Sequence, residues 1–80
     1  MTTINLQYYA QLREQAGAGG EQLSTGAATL RELYDELRTL HSFSLPADAL
    51  KVAVNARFSD WDTALHEGDT VVFIPPVAGG

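Results

Sequence analysis

One segment of the sequence has the apolar spacing of a long amphipathic helix, and it most restricts the fold available to this chain. Its apolar residues recur every three or four positions and would form one stripe: Leu30, Leu33, Tyr34, Leu37 and, as a further candidate, Leu40. Thr29 precedes the stripe and Glu32 follows three residues later, which matches a capping box. Because one stripe buries one face of one sheet, we predict a single main helix packed against a single small sheet.

The other periodic segments have the alternation or the β-branched content of strands. We predict strands at 3–9, 21–25, 51–54, 57–59 and 70–74. Residues 10–16 are predicted to form a short helix that ends at Gly17, residues 42–50 a loop, and Asn55-Ala56 a tight turn. The order β, short α, β, α, β, β, β predicts an α+β, ubiquitin-like β-grasp fold. In that fold a small mixed sheet is covered on one face by the main helix.

The length and charge of the chain exclude several classes of function. Eighty residues support one domain, which we place at residues 1–74, followed by a tail at 75–80. Five basic against ten acidic residues give a net charge of −5, so we expect no nucleic-acid partner. The absence of cysteine excludes disulfides and thiolate chemistry. No apolar run is long enough for a bilayer and no signal segment opens the chain, so we expect a cytoplasmic protein that binds no membrane.

The last six residues carry the strongest indication of chemistry. They are Pro75, Pro76, Val77, Ala78, Gly79 and Gly80. Two prolines favour extended backbone, and an extended arm of this length reaches roughly 20 Å. A terminal carboxylate with no Cβ beside it can enter a narrow active site, so we predict chemistry on Gly80 itself, with an inert frayed tail as the alternative.

The last strand is apolar on both of its faces, which predicts a docking surface. If Val71 and Phe73 face the helix, Ile74 faces away from it, and we expect Tyr9 and Phe58 to join Ile74 there. The alternatives are a second buried face or isolated exposed apolar residues.

The two histidines are interpreted as surface residues. His41 lies near the end of the main helix and His66 in a turn, and neither has a partner at ligand or triad spacing. We therefore predict no metal site, and we predict that neither histidine is catalytic.

The C-terminal third resembles the sulfur-carrier small subunits of molybdopterin synthases. The resemblance covers Val52, Val54-Asn55, Ala64-Leu65, Gly68-Asp69, Val71 to Ile74 and the final PPVAGG, and the opening YYAQLREQAG is similar as well. The double proline before VAGG is the most specific part. Thiamine-pathway sulfur carriers and ubiquitin-like modifiers share the fold and the terminal Gly-Gly.

This resemblance implies a cycle on Gly80 that partner proteins catalyse. An ATP-dependent activating enzyme, similar to ubiquitin-activating enzymes, would adenylate the carboxylate, and a sulfur donor protein would convert it to a thiocarboxylate. The large synthase subunit would then use that sulfur to build the dithiolene of molybdopterin on cyclic pyranopterin monophosphate. The resemblance implies a heterotetramer with two small subunits at the ends of a large-subunit dimer. It implies no bound cofactor, since ATP is used by the activating partner. A thiamine-pathway carrier, a protein modifier and a plain β-grasp interaction module with an inert tail remain as alternatives.

Overall fold

The computed structural model describes residues 1–76, and its elements follow one another in the predicted order. They are β1 (Thr2–Tyr8), α1 (Ala10–Ala16), β2 (Gly20–Thr25), α2 (Leu30–His41), β3 (Lys51–Val54), β4 (Arg57–Ser59) and β5 (Thr70–Ile74). The first strand was predicted to reach Tyr9, but Tyr9 instead precedes α1 as its N-cap residue. The segment predicted as a loop contains one turn of 3-10 helix, Ala47–Ala49.

The strands form one mixed sheet in the order β2-β1-β5-β3-β4. The central strands β1 and β5 are parallel, and the other neighbours are antiparallel. The sheet and α2 confirm the predicted α+β, β-grasp fold. This topology also fixes where the tail leaves the domain, because β5 lies between β1 and β3 and ends at Ile74.

The core lies between α2 and one face of the sheet. Its fully buried helix residues are Leu30, Leu33, Tyr34 and Leu37. The sheet contributes Ile4, Leu6, Tyr8, Val52, Val71 and Phe73. Leu40 was predicted to extend the stripe, but its side chain is 58% exposed. Phe43 is buried instead, because Ser42 adopts a left-handed conformation after α2 and the chain turns back over Tyr8.

The start of α2 confirms one of the two bonds of the predicted capping box. The Thr29 hydroxyl accepts a hydrogen bond from the Glu32 backbone N–H at 3.3 Å. The Glu32 carboxylate accepts from the same hydroxyl, also at 3.3 Å, and not from the Thr29 backbone amide. Only one of the two predicted backbone bonds is therefore present, and it is the one that caps the helix.

The turn between β3 and β4 is also the predicted one. Asn55 and Ala56 both have positive φ, 52° and 71°, as a tight two-residue hairpin turn requires. The Asn55 amide donates to the Asp69 carboxylate at 2.9 Å and accepts from the Thr70 backbone N–H at 3.0 Å. These bonds tie the hairpin to the beginning of β5.

Candidate functional site

The tail predicted to carry the chemistry begins at the end of the central strand. β5 ends at Ile74 because the next residue, Pro75, has no N–H to donate to the sheet ladder. Pro75 is half-buried and Pro76 is exposed. Val77, Ala78, Gly79 and Gly80 lie outside the described residues, so the predicted modification of Gly80 stays a prediction.

A groove runs beside the root of this tail, between α1 and the end of β5. Its apolar part is formed by Tyr9, Ala10, Ile74, Pro75 and Pro76, and its polar part by Gln11, Glu14 and Gln15. The Tyr9 side chain is 51% exposed. The structure therefore brings together two of the three residues predicted to form the docking surface, Tyr9 and Ile74.

The third predicted residue, Phe58, lies on the face of the sheet that α2 does not cover. We call this face the open face. Val72, Ala53 and Phe58 are register partners across β5, β3 and β4, and they have the opposite parity from the buried Val71 and Phe73. Phe58 is 73% exposed. Ile74 is on the same side as Phe58, but β3 lies between their strands and they are offset by two residues, which gives roughly 12 Å between Cα atoms at ordinary sheet spacing.

Lys51 occupies the space between these two apolar residues. It is the register partner of Ile74, and its Nζ lies 5.9 Å from the centre of the Phe58 ring, within range of a cation–π interaction. Lys51 was not among the residues predicted for this surface. The signal was available, because the apolar Val52 beside it predicts that Lys51 has the outward parity.

A polar cluster that was not predicted from the sequence lies between β1, β2 and the end of α2. The Tyr8 hydroxyl donates to Glu21 Oε2 at 2.7 Å, and His41 Nε2 lies 2.6 Å from the same oxygen. His41 was predicted to lie at the surface, but its side chain is only 17% exposed and it pairs with Glu21. The register of β1 with β2 places Glu21 opposite Leu6, on the side covered by α2, which brings its carboxylate to His41. His66 does lie at the surface.

These contacts change the titration of two groups. Burial alone raises the pKa of Glu21, but hydrogen bonds from Tyr8 and His41 and the charge of His41 together lower it below its ordinary value. Burial, together with the hydrogen bond and the charge of Glu21, raises the pKa of the Tyr8 hydroxyl well above its ordinary value. The cluster joins three elements, and we interpret it as structural.

Within residues 1–76, no three His, Asp or Glu side chains lie close enough together to hold a metal ion. Neither helix in this part of the chain has the length and apolar content needed to cross a bilayer.

The geometry can be compared with known proteins. A family model described as the ThiS family matches residues 6–80. The chain is 32% identical to the molybdopterin synthase sulfur carrier subunit of Haemophilus influenzae, over 96% of this chain and 99% of that protein.

Two solved structures are similar over nearly their whole length. The putative molybdopterin converting factor subunit 1 of Pyrococcus furiosus has a TM-score of 0.79 at 29% identity, covering 96% of this chain and 100% of that one. SAMP1, a small archaeal modifier protein of Haloferax volcanii, has a TM-score of 0.81 at 26% identity, covering 98% of this chain and 99% of that one.

Proposed function

Since the chain belongs to the ThiS family, we propose that it is the sulfur-carrier subunit of a molybdopterin synthase. The observation that carries this proposal is the near full-length similarity to a protein of that name. The PPVAGG end adds to it, because a carrier needs a terminal carboxylate that a partner's active site can surround. The chain itself is non-catalytic in this proposal.

The chemistry takes place at the carboxylate of Gly80. In an activating enzyme, a carboxylate oxygen attacks the α-phosphorus of ATP and pyrophosphate leaves, which gives an acyl-adenylate. A sulfur donor protein then supplies sulfide in place of AMP, and the product is a thiocarboxylate. Activation is needed because a free carboxylate is a poor electrophile. The chain has no cysteine, so the terminus is where it carries sulfur.

The groove and the open face support docking in this proposal. The tail begins at the Ile74 edge of both surfaces, so a partner that contacts Tyr9 and Ile74 also receives the residues that follow Pro76. In the large subunit the tail would deliver sulfur to cyclic pyranopterin monophosphate. The activating enzyme would use the same surface earlier, so the two partners compete.

Reconstitution tests the proposal directly. The full chain is incubated with its activating enzyme, ATP and the sulfur donor protein, and the C-terminal peptide is analysed by mass spectrometry. We expect a mass increase equal to the replacement of one oxygen by one sulfur at Gly80. The control is a chain that lacks Gly80, which should remain unmodified. An unmodified wild-type terminus with active partners would contradict the proposal.

A protein modifier is the second candidate, and the similarity to SAMP1 favours it. In that case the activated Gly80 forms an isopeptide bond with a lysine of another protein. Conjugates would then appear as heavier bands, and thiocarboxylate would not be the end product. A thiamine-pathway carrier would instead give thiocarboxylate but would not co-purify with a synthase large subunit.

A further inference from the structure

Lys51 is the single side-chain amine of the protein, and it lies among apolar residues. It is exposed on the open face, opposite Ile74 in the register, with its ammonium over the Phe58 ring. Ala53, two residues further along β3, and its register partner Val72 on β5 lie on the same face as Lys51. A protein surface that covers Ile74 and Phe58 therefore covers Lys51 as well.

No acidic side chain of residues 1–76 forms an ion pair with Lys51. Within residues 1–76, the ion pairs closer than 4.0 Å are Arg31 with Asp62, His41 with Glu21 and His66 with Asp69. Asp48 and Asp60 each line a separate surface pocket together with Lys51, but no ion pair joins either of them to Lys51. Towards β1 and β2 the open face carries neutral polar residues such as Asn5, Gln7 and Gln22.

Docking at this face would remove water from the Lys51 ammonium. Burial of an unpaired charge is strongly unfavourable, and a cation–π contact with one ring replaces only part of the lost hydration. A partner that binds here must therefore leave the ammonium in water or bring an anion to it. The position of Lys51 between two apolar contacts favours the second solution.

We infer that Lys51 is the charge-recognition residue of the open face, and that its partner there is a protein surface with an Asp or Glu side chain at the centre of an apolar contact. The inference rests on the proposed function, which makes this partner the synthase large subunit. The chain carries a net charge of −5, so an acidic contact site would otherwise be repelled by it. Lys51 thus attracts the acidic side chain locally, against the repulsion from the net negative charge of the chain.

Binding of the full chain to the large subunit tests this role. Removal of the charge in Lys51→Met should weaken binding about tenfold or more, and Lys51→Glu should weaken it further. Lys51→Arg keeps the charge and should restore most of the affinity. Raising the salt from about 0.05 to about 0.5 M should weaken the wild type more than Lys51→Met, because salt screens the ion pair.

Arg57 provides a matched control for the loss of one positive charge. It is exposed on β4 next to Phe58, but its register partner is Val54, whose parity is that of the helix-covered side. Arg57→Met should leave the affinity unchanged within about threefold. Lys51 is exposed, so the variants should keep the amide NMR spectrum of the folded wild type.

Carbodiimide cross-linking identifies the carboxylate. This reagent forms an amide bond between an amine and a carboxylate that are in contact with each other. Besides Lys51, the chain has one other amine, the α-amine of Met1. We expect a cross-linked peptide between Lys51 and an Asp or Glu of the large subunit. Exchange of the two charges, Lys51→Glu with that acid changed to Lys, should restore binding.

Three outcomes overturn the inference. The first is an affinity and salt dependence of Lys51→Met equal to those of the wild type, and the second is an equal loss in Arg57→Met. The third is cross-linking of the chain's amines through Met1 alone. In each of these the wild type still binds, so the proposed function survives. No binding by the wild type would contradict the proposed function together with this inference.

Discussion

At the scale of single residues, Glu21 has the environment least expected from the sequence. One carboxylate oxygen accepts a hydrogen bond from Tyr8 and lies 2.6 Å from His41. The charged form of Glu21 is therefore favoured in the folded protein, which lowers its pKa despite the opposing effect of burial. A lowered carboxylate pKa in the folded state contributes stability above the unfolded-state value.

We predict a corresponding loss of stability in acid. The contribution of Glu21 is complete above its unfolded pKa of about 4.5 and is lost as the pH falls through the lower folded value. Glu21→Gln should reduce the free energy of unfolding at pH 7 by about 1 kcal/mol and make its decrease below pH 4.5 less steep. Urea denaturation at a series of pH values measures both effects. Glu14→Gln, at an exposed position of α1, serves as the control. Equal pH profiles for wild type and Glu21→Gln would contradict the prediction.

At the scale of elements, the turn of the β3–β4 hairpin needs positive φ at both of its residues, which is unfavourable for the second, Ala56. Asn55 tolerates positive φ and bonds through its side chain to Asp69 and Thr70. Ala56 also has positive φ, but it has no side chain that could form compensating hydrogen bonds, and its Cβ makes this conformation unfavourable. The turn is therefore held by Asn55 and by the strand pairing on either side of it.

Replacement of Ala56 should stabilise the domain. Ala56→Gly removes the Cβ at φ 71°, so we expect the free energy of unfolding to rise by about 1 kcal/mol. Equilibrium urea denaturation provides the measurement. Ala18→Gly, in an exposed loop without positive φ, should instead lower the free energy of unfolding slightly. A loss of stability in Ala56→Gly would show that the turn is not strained.

At the scale of the whole molecule, α2 covers one side of the sheet, and apolar residues lie on the side away from it. Phe58, Ile74 and Val72 belong to the open face, and the tail begins beside them. Phe58 is exposed and Val72 and Ile74 are half-buried, and apolar residues grouped in this way at a surface are typical of a protein interface. Their position next to the tail agrees with a protein that presents its terminus to partners.

The docking surface can be tested without changing the charge near Lys51. We expect Phe58→Ser and Ile74→Ser each to weaken binding to the large subunit and to the activating enzyme by about tenfold or more, because each removes an apolar contact. Leu40→Ser is the control, since Leu40 is exposed on α2 and away from this face. Calorimetry gives the affinities, and circular dichroism confirms folding. Unchanged binding to both partners would remove Phe58 and Ile74 from the interface.

The sequence by itself determined the features that depend on neighbouring residues. The Thr29 cap, the Asn55-Ala56 turn and the alternation of Val71 and Phe73 with their neighbours all follow from residues a few positions apart, and the structure confirms them. The PPVAGG end is also a feature of adjacent residues, and its predicted role at Gly80 stays a prediction.

Only the tertiary structure decided which distant residues meet. Glu21 and His41 are 20 positions apart in the chain and meet through the register of β1 with β2 and the packing of α2. Lys51 reaches Ile74 through the pairing of β3 with β5, and Phe43 takes the core position predicted for Leu40 because the chain reverses at Ser42. These contacts depend on strand register and on chain reversal, which are set by the packing of the whole core and which local periodicity does not encode.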